Sequence, residues 1–128
     1  MVTGRVMMDK DTAIETFLSA STFAVAGASQ NRAKYGNKVL RCYLQNGRTA
    51  IPINPGASEV EGQTAYPAIS DIPNPVESLS IITSPPVTEH IVDEAIKAGV
   101  KNIWMQPGAE SPAAIAAAQS AGLNVIGG

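Results

Sequence analysis

From Phe23 to Ala26 the chain is apolar at four consecutive positions, then breaks into Gly27-Ala28-Ser29 before a helix-forming segment opens at Tyr35. A strand that is apolar without alternation is buried on both faces, as an interior strand of a parallel sheet would be. Parallel neighbours cannot be joined by a tight hairpin; they need a crossover, usually a helix. This one stretch therefore demands an α/β layering. Its turn of small residues leaves backbone N–H groups beside the positive end of the next helix, a natural seat for a phosphate.

The same unit recurs along the chain. Ahead of it, Thr12 with Glu15 three residues on reads as a capping box opening a helix over 12–20, with Ile14, Phe17 and Leu18 on one face. After the turn, Val39, Leu40, Tyr43 and Leu44 mark a helix over 35–46 that Gly47 stops. A strand over 49–53 ends at Asn54-Pro55-Gly56, and the turn-rich 58–75 segment holds at most a short edge strand at 64–66. A strand over 78–83 leads to Ser84-Pro85-Pro86, a cap followed by prolines that the first helical turn tolerates. That helix is expected to bury Val87, Ile91 and Ala95 and to stop at Gly99. A strand over 102–106 passes through Pro107-Gly108 to an alanine-rich helix capped by Ser111, and a strand over 124–126 ends the series.

Repeated strand–helix units predict an α/β fold: a Rossmann-like, doubly wound parallel sheet with helices on both faces. The 128 residues fit a single domain over 12–128, preceded by a flexible N-terminal leader over 1–11. In such sheets ligands bind outside the carboxyl ends of the strands, where the strand order reverses. The turns at 27–29, 53–55, 83–86 and 106–108 should therefore line one edge.

Charge and cysteine usage narrow the partners. A net charge of −2 with no Lys/Arg cluster argues against a nucleic-acid or anionic-membrane surface. No apolar run approaches the ~20 residues of a membrane span, and the opening residues do not resemble a signal peptide. The single cysteine, Cys42, excludes an internal disulfide and a cysteine-built metal site, which suits a reducing, cytoplasmic setting.

The turn itself falls short of a dinucleotide fingerprint. Ser29 stands where the second glycine of GxGxxG would be, and Asn54 where an acid would hold a ribose. NAD becomes a secondary reading, a generic anion seat the first, and a plain strand-to-helix turn the alternative. Arg32 and Lys34 lie close enough in sequence to reach a phosphate, or else are solvated surface. His90 reads as a surface histidine, Cys42 as a packed helix residue and Trp104 as core. Asp93, Glu94 and Glu110 form no visible acid–base constellation, so no catalytic set and no metal site is assigned.

Taken together, Gly27-Ala28-Ser29, Lys34-Tyr35-Gly36, Ile51-Pro52-Ile53-Asn54-Pro55, Tyr66-Pro67, Asp71-Ile72-Pro73, Pro85-Pro86 and Trp104-Met105-Gln106-Pro107-Gly108 resemble the small stand-alone CoA-binding domain proteins. These in turn are similar to the N-terminal CoA-binding domain of the succinyl-CoA synthetase alpha subunit. The resemblance implies a Rossmann-like fold and coenzyme A, or an acyl-CoA, as ligand, bound without catalysis. It places Gly27, Ala28 and Ser29 at the pyrophosphate, with Lys34, Tyr35 and Gly36 beside it at the helix entry. Asn54 and Pro55 would flank the adenosine-phosphate end, Ser84, Pro85 and Pro86 would line the groove, and Gln106 with Gly108 would stand near the pantetheine arm. Relatives commonly carry an aromatic–Arg pair where this chain has Thr83-Ser84, which removes a cationic contact. The synthetase's phosphohistidine belongs to another domain, so ligase activity does not follow from the resemblance. An NAD(P)-binding oxidoreductase fragment and a protein-interaction domain with an empty nucleotide groove remain the alternatives. A homo-oligomer or an enzyme partner is compatible with either.

Overall fold

Helix α1, Lys10–Leu18, starts two residues earlier than the Thr12–Glu15 pattern predicts, because Asp9 is the cap. The Asp9 carboxylate accepts from the Thr12 backbone N–H at 2.8 Å, and that bond holds its pKa below the ordinary aspartate value. Thr12 is thus the residue being capped. The computed structural model describes residues 9–127, so residues 1–8 of the expected leader lie outside it, while 9–11 form the cap and first turn of α1.

Five parallel strands build the main sheet: β1 (Thr22–Ala26), β2 (Thr49–Ile53), β5 (Ser78–Ile81), β6 (Asn102–Met105) and β7 (Asn124–Gly127). The short β3 (Glu59–Val60) and β4 (Gln63–Thr64) pair as a separate hairpin. The sheet order is β2-β1-β5-β6-β7, so the direction of winding reverses between β1 and β5. Pro52 can sit in β2 because β2 is at the edge, where a missing N–H breaks no ladder. The expected edge strand at 64–66 is split. Thr64 belongs to β4, while Tyr66 bridges to Ile53 and blunts the edge, its N–H donating to Pro52 O and its carbonyl accepting from Asn54 N–H.

The helices α2 (Tyr35–Gln45), α3 (Pro85–Ala98) and α4 (Pro112–Ser120) complete the layers. Alternation along β1 divides the core. Phe23 and Val25 point to a cluster with Phe17 of α1 and Leu40 of α2, whereas Ala24 and Ala26 point to one with Val92 and Ala95 of α3 and Ala114 and Ala118 of α4. The first face is aromatic: Phe17 meets the half-buried Trp104 edge-on at 5.5 Å, and Phe23 stacks on Tyr43 at 4.7 Å. Such contacts add about 0.5–1.5 kcal/mol each beyond burial. The second face is aliphatic, and α4 contributes Ala114 and Ala118 to it.

Two expectations about helix residues are corrected. Cys42 is exposed, because the buried stripe of α2 runs through Gly36, Asn37 and Leu40 and leaves position 42 facing outward. Ser84 occupies the cap position of α3, but its hydroxyl makes no capping bond. Pro85 and Pro86 fill the first two helical positions, so only the third-position N–H, that of Val87, is left for a cap, and Ser84 does not take it. Ser111, by contrast, accepts from Ala114 N–H at 3.3 Å and donates its hydroxyl to Glu89 Oε2 at 2.5 Å, tying α4 to α3.

Candidate functional site

The turn after β1 is held by two backbone approaches that admit only glycine. Gly27 has φ +91°, and a Cβ there would stand 2.3 Å from Ile82 O. A Cβ on Gly36 would stand 2.1 Å from Gly27 O, so the first turn of α2 lies directly against the turn after β1. The first intrahelical bond of α2 is Lys38 N–H to Lys34 O, which leaves the N–H groups of Tyr35, Gly36 and Asn37 at the open helix end. Among the described residues no backbone acceptor meets the N–H of Ala28, Ser29 or Gln30. Among the described residues, six amides around the switch point of the sheet thus have no backbone acceptor, and an unpaired helix N-terminus favours an anion.

Side chains fix this turn from outside. Asn54, at the end of β2, donates Nδ2 to Ala28 O at 2.8 Å while its Oδ1 accepts from Gly56 N–H at 2.7 Å. Asn37 is fully buried; its Nδ2 donates to Ser29 O at 2.7 Å and to Glu61 Oε2 at 3.0 Å, and its Oδ1 accepts from Arg41 Nε at 2.7 Å. Gln30 Nε2 donates to Glu59 O at 2.8 Å, and Arg32 Nε lies 3.3 Å from Glu61 Oε2. The β3–β4 hairpin is therefore bonded to the turn. Neither Asn37 nor Glu61 is picked out by sequence motifs; the available signal is that Asn37 lies three residues before Leu40, a polar residue on the buried stripe of α2.

The remaining candidates surround this centre unevenly. Tyr35, half-exposed, donates its hydroxyl to the buried Gln106 Oε1 at 3.2 Å, linking the entry of α2 to the end of β6. Gly108 is exposed at φ +92° with its N–H directed to Glu110 Oε1 at 3.3 Å. Lys34 is an exposed residue at the α2 cap position. Ser84, Pro85 and Pro86 are exposed at the start of α3.

Beside the turn opens a groove of about 310 Å³, floored by Ala26 and Gly27 and walled by Pro55, Ile69, Thr83 and Val87 among others. Val87 lines its mouth and is 47% exposed rather than buried as expected, because the inward face of α3 carries Thr88, Val92 and Ala95 instead. Exposed His90 also lines the groove, its Nε2 3.9 Å from Glu94 Oε1. Among the described residues no cluster of His, Cys, Asp and Glu has metal-binding geometry, and no helix is long and apolar enough to cross a membrane.

Comparison with known proteins converges on this architecture. The model of a family described as "CoA binding domain" matches residues 21–128. A conserved hypothetical protein from Pyrococcus furiosus is 36% identical, with 85% of this chain and 94% of that one covered at a TM-score of 0.80. A hypothetical protein from Pyrococcus horikoshii OT3 is 29% identical, over 99% of this chain and 91% of that one, with a TM-score of 0.88. The dinucleotide-forming acetyl-coenzyme A synthetase 1 of Ca. Korarchaeum cryptofilum is 33% identical over 82% of this chain, which corresponds to only 25% of the synthetase, with a TM-score of 0.74.

Proposed function

This chain belongs to the CoA binding domain family, and from that premise we propose that it binds coenzyme A, or an acyl-CoA, in the groove at the carboxyl ends of the parallel strands and performs no chemistry on it. The observation that carries this reading is the meeting of the glycine-locked turn with the apolar groove. The turn gathers amides at an open helix end, and the groove beside it is walled by Pro55, Ile69 and Val87. A ligand that is part polyanion and part flat, weakly polar ring fits both at once. A volume of about 310 Å³ is also within the range of roughly 300–1,000 Å³ typical of small-molecule sites.

In this arrangement the pyrophosphate rests on Gly27, Ala28 and Ser29, with Lys34, Tyr35 and Gly36 at its side. The adenosine end lies against Asn54 and Pro55 in the groove, with Ser84, Pro85 and Pro86 on the rim, and the pantetheine arm passes Gln106 and Gly108. A purely binding role is favoured because the polar side chains nearest the turn are engaged with the protein: Asn54 at both ends, Asn37 at three contacts, and Gln106 with Tyr35. The activity named for the Korarchaeum synthetase is not carried over, since this chain corresponds to a quarter of it.

Titration calorimetry with CoA, acetyl-CoA, dephospho-CoA and NAD tests the reading. CoA forms are expected to bind in preference to NAD, because Asn54 is an amide already engaged and offers no carboxylate to a ribose diol. Silence for every CoA form sinks the proposal. Tighter binding of NAD would transfer the site to the dinucleotide reading, and silence for all nucleotides would favour a protein-interaction role. Mass spectrometry of whatever acid releases from the purified protein gives an independent answer.

A further inference from the structure

The β3–β4 hairpin lies outside the main sheet, yet its tip is bonded to the phosphate turn. Glu61 has φ +50°, a left-handed conformation that a non-glycine residue adopts against its preference, and Gly62 follows with φ +77°. Asparagine or aspartate before glycine is the usual solution for two such positions. What a glutamate adds is reach: its Oε2 accepts from buried Asn37, which also holds Ser29 O, and it lies 3.3 Å from Arg32 Nε. Glu61 therefore positions the turn through Asn37 and at the same time sets a negative charge beside an anion seat.

Arg32 is the member of this group able to move. Its backbone is pinned, because its carbonyl accepts from Arg41 Nη2 at 3.1 Å and the adjoining loop is braced by Asn31 Oδ1 on Ala33 N–H at 3.0 Å. Its side chain is 64% exposed, against 21% for Glu61. An exposed ion pair is weak and screened by salt, whereas a guanidinium on a phosphate makes charge-assisted, often bidentate bonds. We propose that Arg32 has two exclusive partners, Glu61 and the CoA pyrophosphate, and leaves the first for the second when ligand binds, while Glu61 remains bonded to Asn37. The inference rests on the CoA reading above and adds to it a charge contact and the group that competes for it.

The test titrates CoA and dephospho-CoA into the wild type, Arg32→Gln, Glu61→Gln and the double variant, with thermal unfolding of each as a check on folding. Glutamine at position 61 keeps an oxygen acceptor for Asn37 and removes only the charge. Arg32→Gln is expected to weaken both ligands about tenfold, the loss of one charge-assisted contact. Glu61→Gln is expected to tighten both about threefold, the release of a weak surface pair, and to have no effect in the Arg32→Gln background. Weaker or unchanged binding in Glu61→Gln overturns the exchange. Tightening that persists in the double variant also overturns it, since Glu61 would then repel the phosphate directly. A loss in Arg32→Gln confined to CoA would place Arg32 at the 3′-phosphate and overturn the pyrophosphate assignment. A wild type that binds neither ligand removes the CoA reading and this inference together, which separates that failure from a failure of the exchange alone.

Discussion

Two strand-to-helix turns flank the point where the sheet order reverses, and their chemistry is opposite. The turn after β1 is rich in N–H groups and is fixed by Asn54, Asn37 and the contact of Gly36 with Gly27. The turn after β5 enters α3 through Pro85 and Pro86, which contribute no N–H at the first two helical positions, and its inner contact is Thr83 Oγ1 with Thr88 Oγ1 at 2.8 Å. The same topology thus yields amides without backbone acceptors at one turn and two prolines without N–H groups at the other. In the proposed binding mode, a ligand spanning both changes from charged to uncharged within the width of two strands.

The sharpest way to break this contrast is to remove the close approach that makes the β1 turn. Gly27→Ala combines a positive φ with a Cβ 2.3 Å from Ile82 O, a backbone atom that cannot step aside. We expect a loss of about 3–4 kcal/mol in urea unfolding, strain and overpacking together. Gly36→Ala, lacking the positive φ but facing Gly27 O at 2.1 Å, should lose about 2–4 kcal/mol. The control is Gly122→Ala, where φ is +85° and nothing lies within 4 Å, so only about 1–2 kcal/mol of conformational cost applies. Equal losses at positions 27 and 122 would mean that the turn is an ordinary one.

Asn54→Asp probes the side-chain brace of the same turn. Aspartate can still accept from Gly56 N–H, but it loses the donor to Ala28 O and sets one oxygen against another. A cost of about 1–3 kcal/mol is expected, with CoA affinity falling roughly tenfold as the turn loosens. No NAD binding should appear, even though an acid now stands where the dinucleotide fingerprint wants one. Gain of NAD binding would show that position 54 chooses the ligand and that the brace is secondary.

Much of the fold that carries these turns was legible in the sequence, for identifiable reasons. Unbroken apolar residues from Phe23 to Ala26, and glycines or prolines after each strand, carry strong local information, so the parallel sheet, the order of its elements and the CoA family were readable. Asp9 was missed because Thr12 with Glu15 imitates a capping box, and a pattern of residue types does not say which of two competent caps the chain selects. Val87 was misplaced because adjacent positions on a helix differ by about 100°, so an apolar residue one step off the inward face lines the groove instead. Asn37 and Glu61 were invisible for a different reason. Their roles exist only once α2 and the β3–β4 hairpin, separated by the whole of β2, meet at the turn after β1.

Below the turns, Tyr43 of α2 joins the two sides by a 2.7 Å hydrogen bond to Ser80 of β5. Burial pushes its phenol above the ordinary value of 10.0, partly offset by that bond. The sign follows from the unfolded chain ionising first: stability from this group is complete below about pH 10 and declines as pH rises toward the folded-state pKa. Tyr43→Phe should flatten that alkaline decline and cost about 1–2 kcal/mol at neutral pH, because Ser80 is fully buried and loses its partner. Urea unfolding of both proteins between neutral pH and pH 11 makes the comparison, and an unchanged slope would mean that Tyr43 is not the group responsible.

The smallest effect tests the apolar side. Pro85→Ala with Pro86→Ala returns two N–H groups to the start of α3 without altering the groove walls at Thr83 and Val87. Proline suits these positions, so the double variant should lose under about 1–2 kcal/mol, mainly through a freer unfolded chain. CoA affinity should change by less than about twofold, because restored amides help only if a phosphate lies within hydrogen-bond reach of them. Binding that tightens several-fold would reveal a second anion seat held shut by the prolines, and the two turns would then differ in degree only. An unchanged affinity, beside large losses from the glycine variants, would fix the charged end of the ligand at the β1 turn alone.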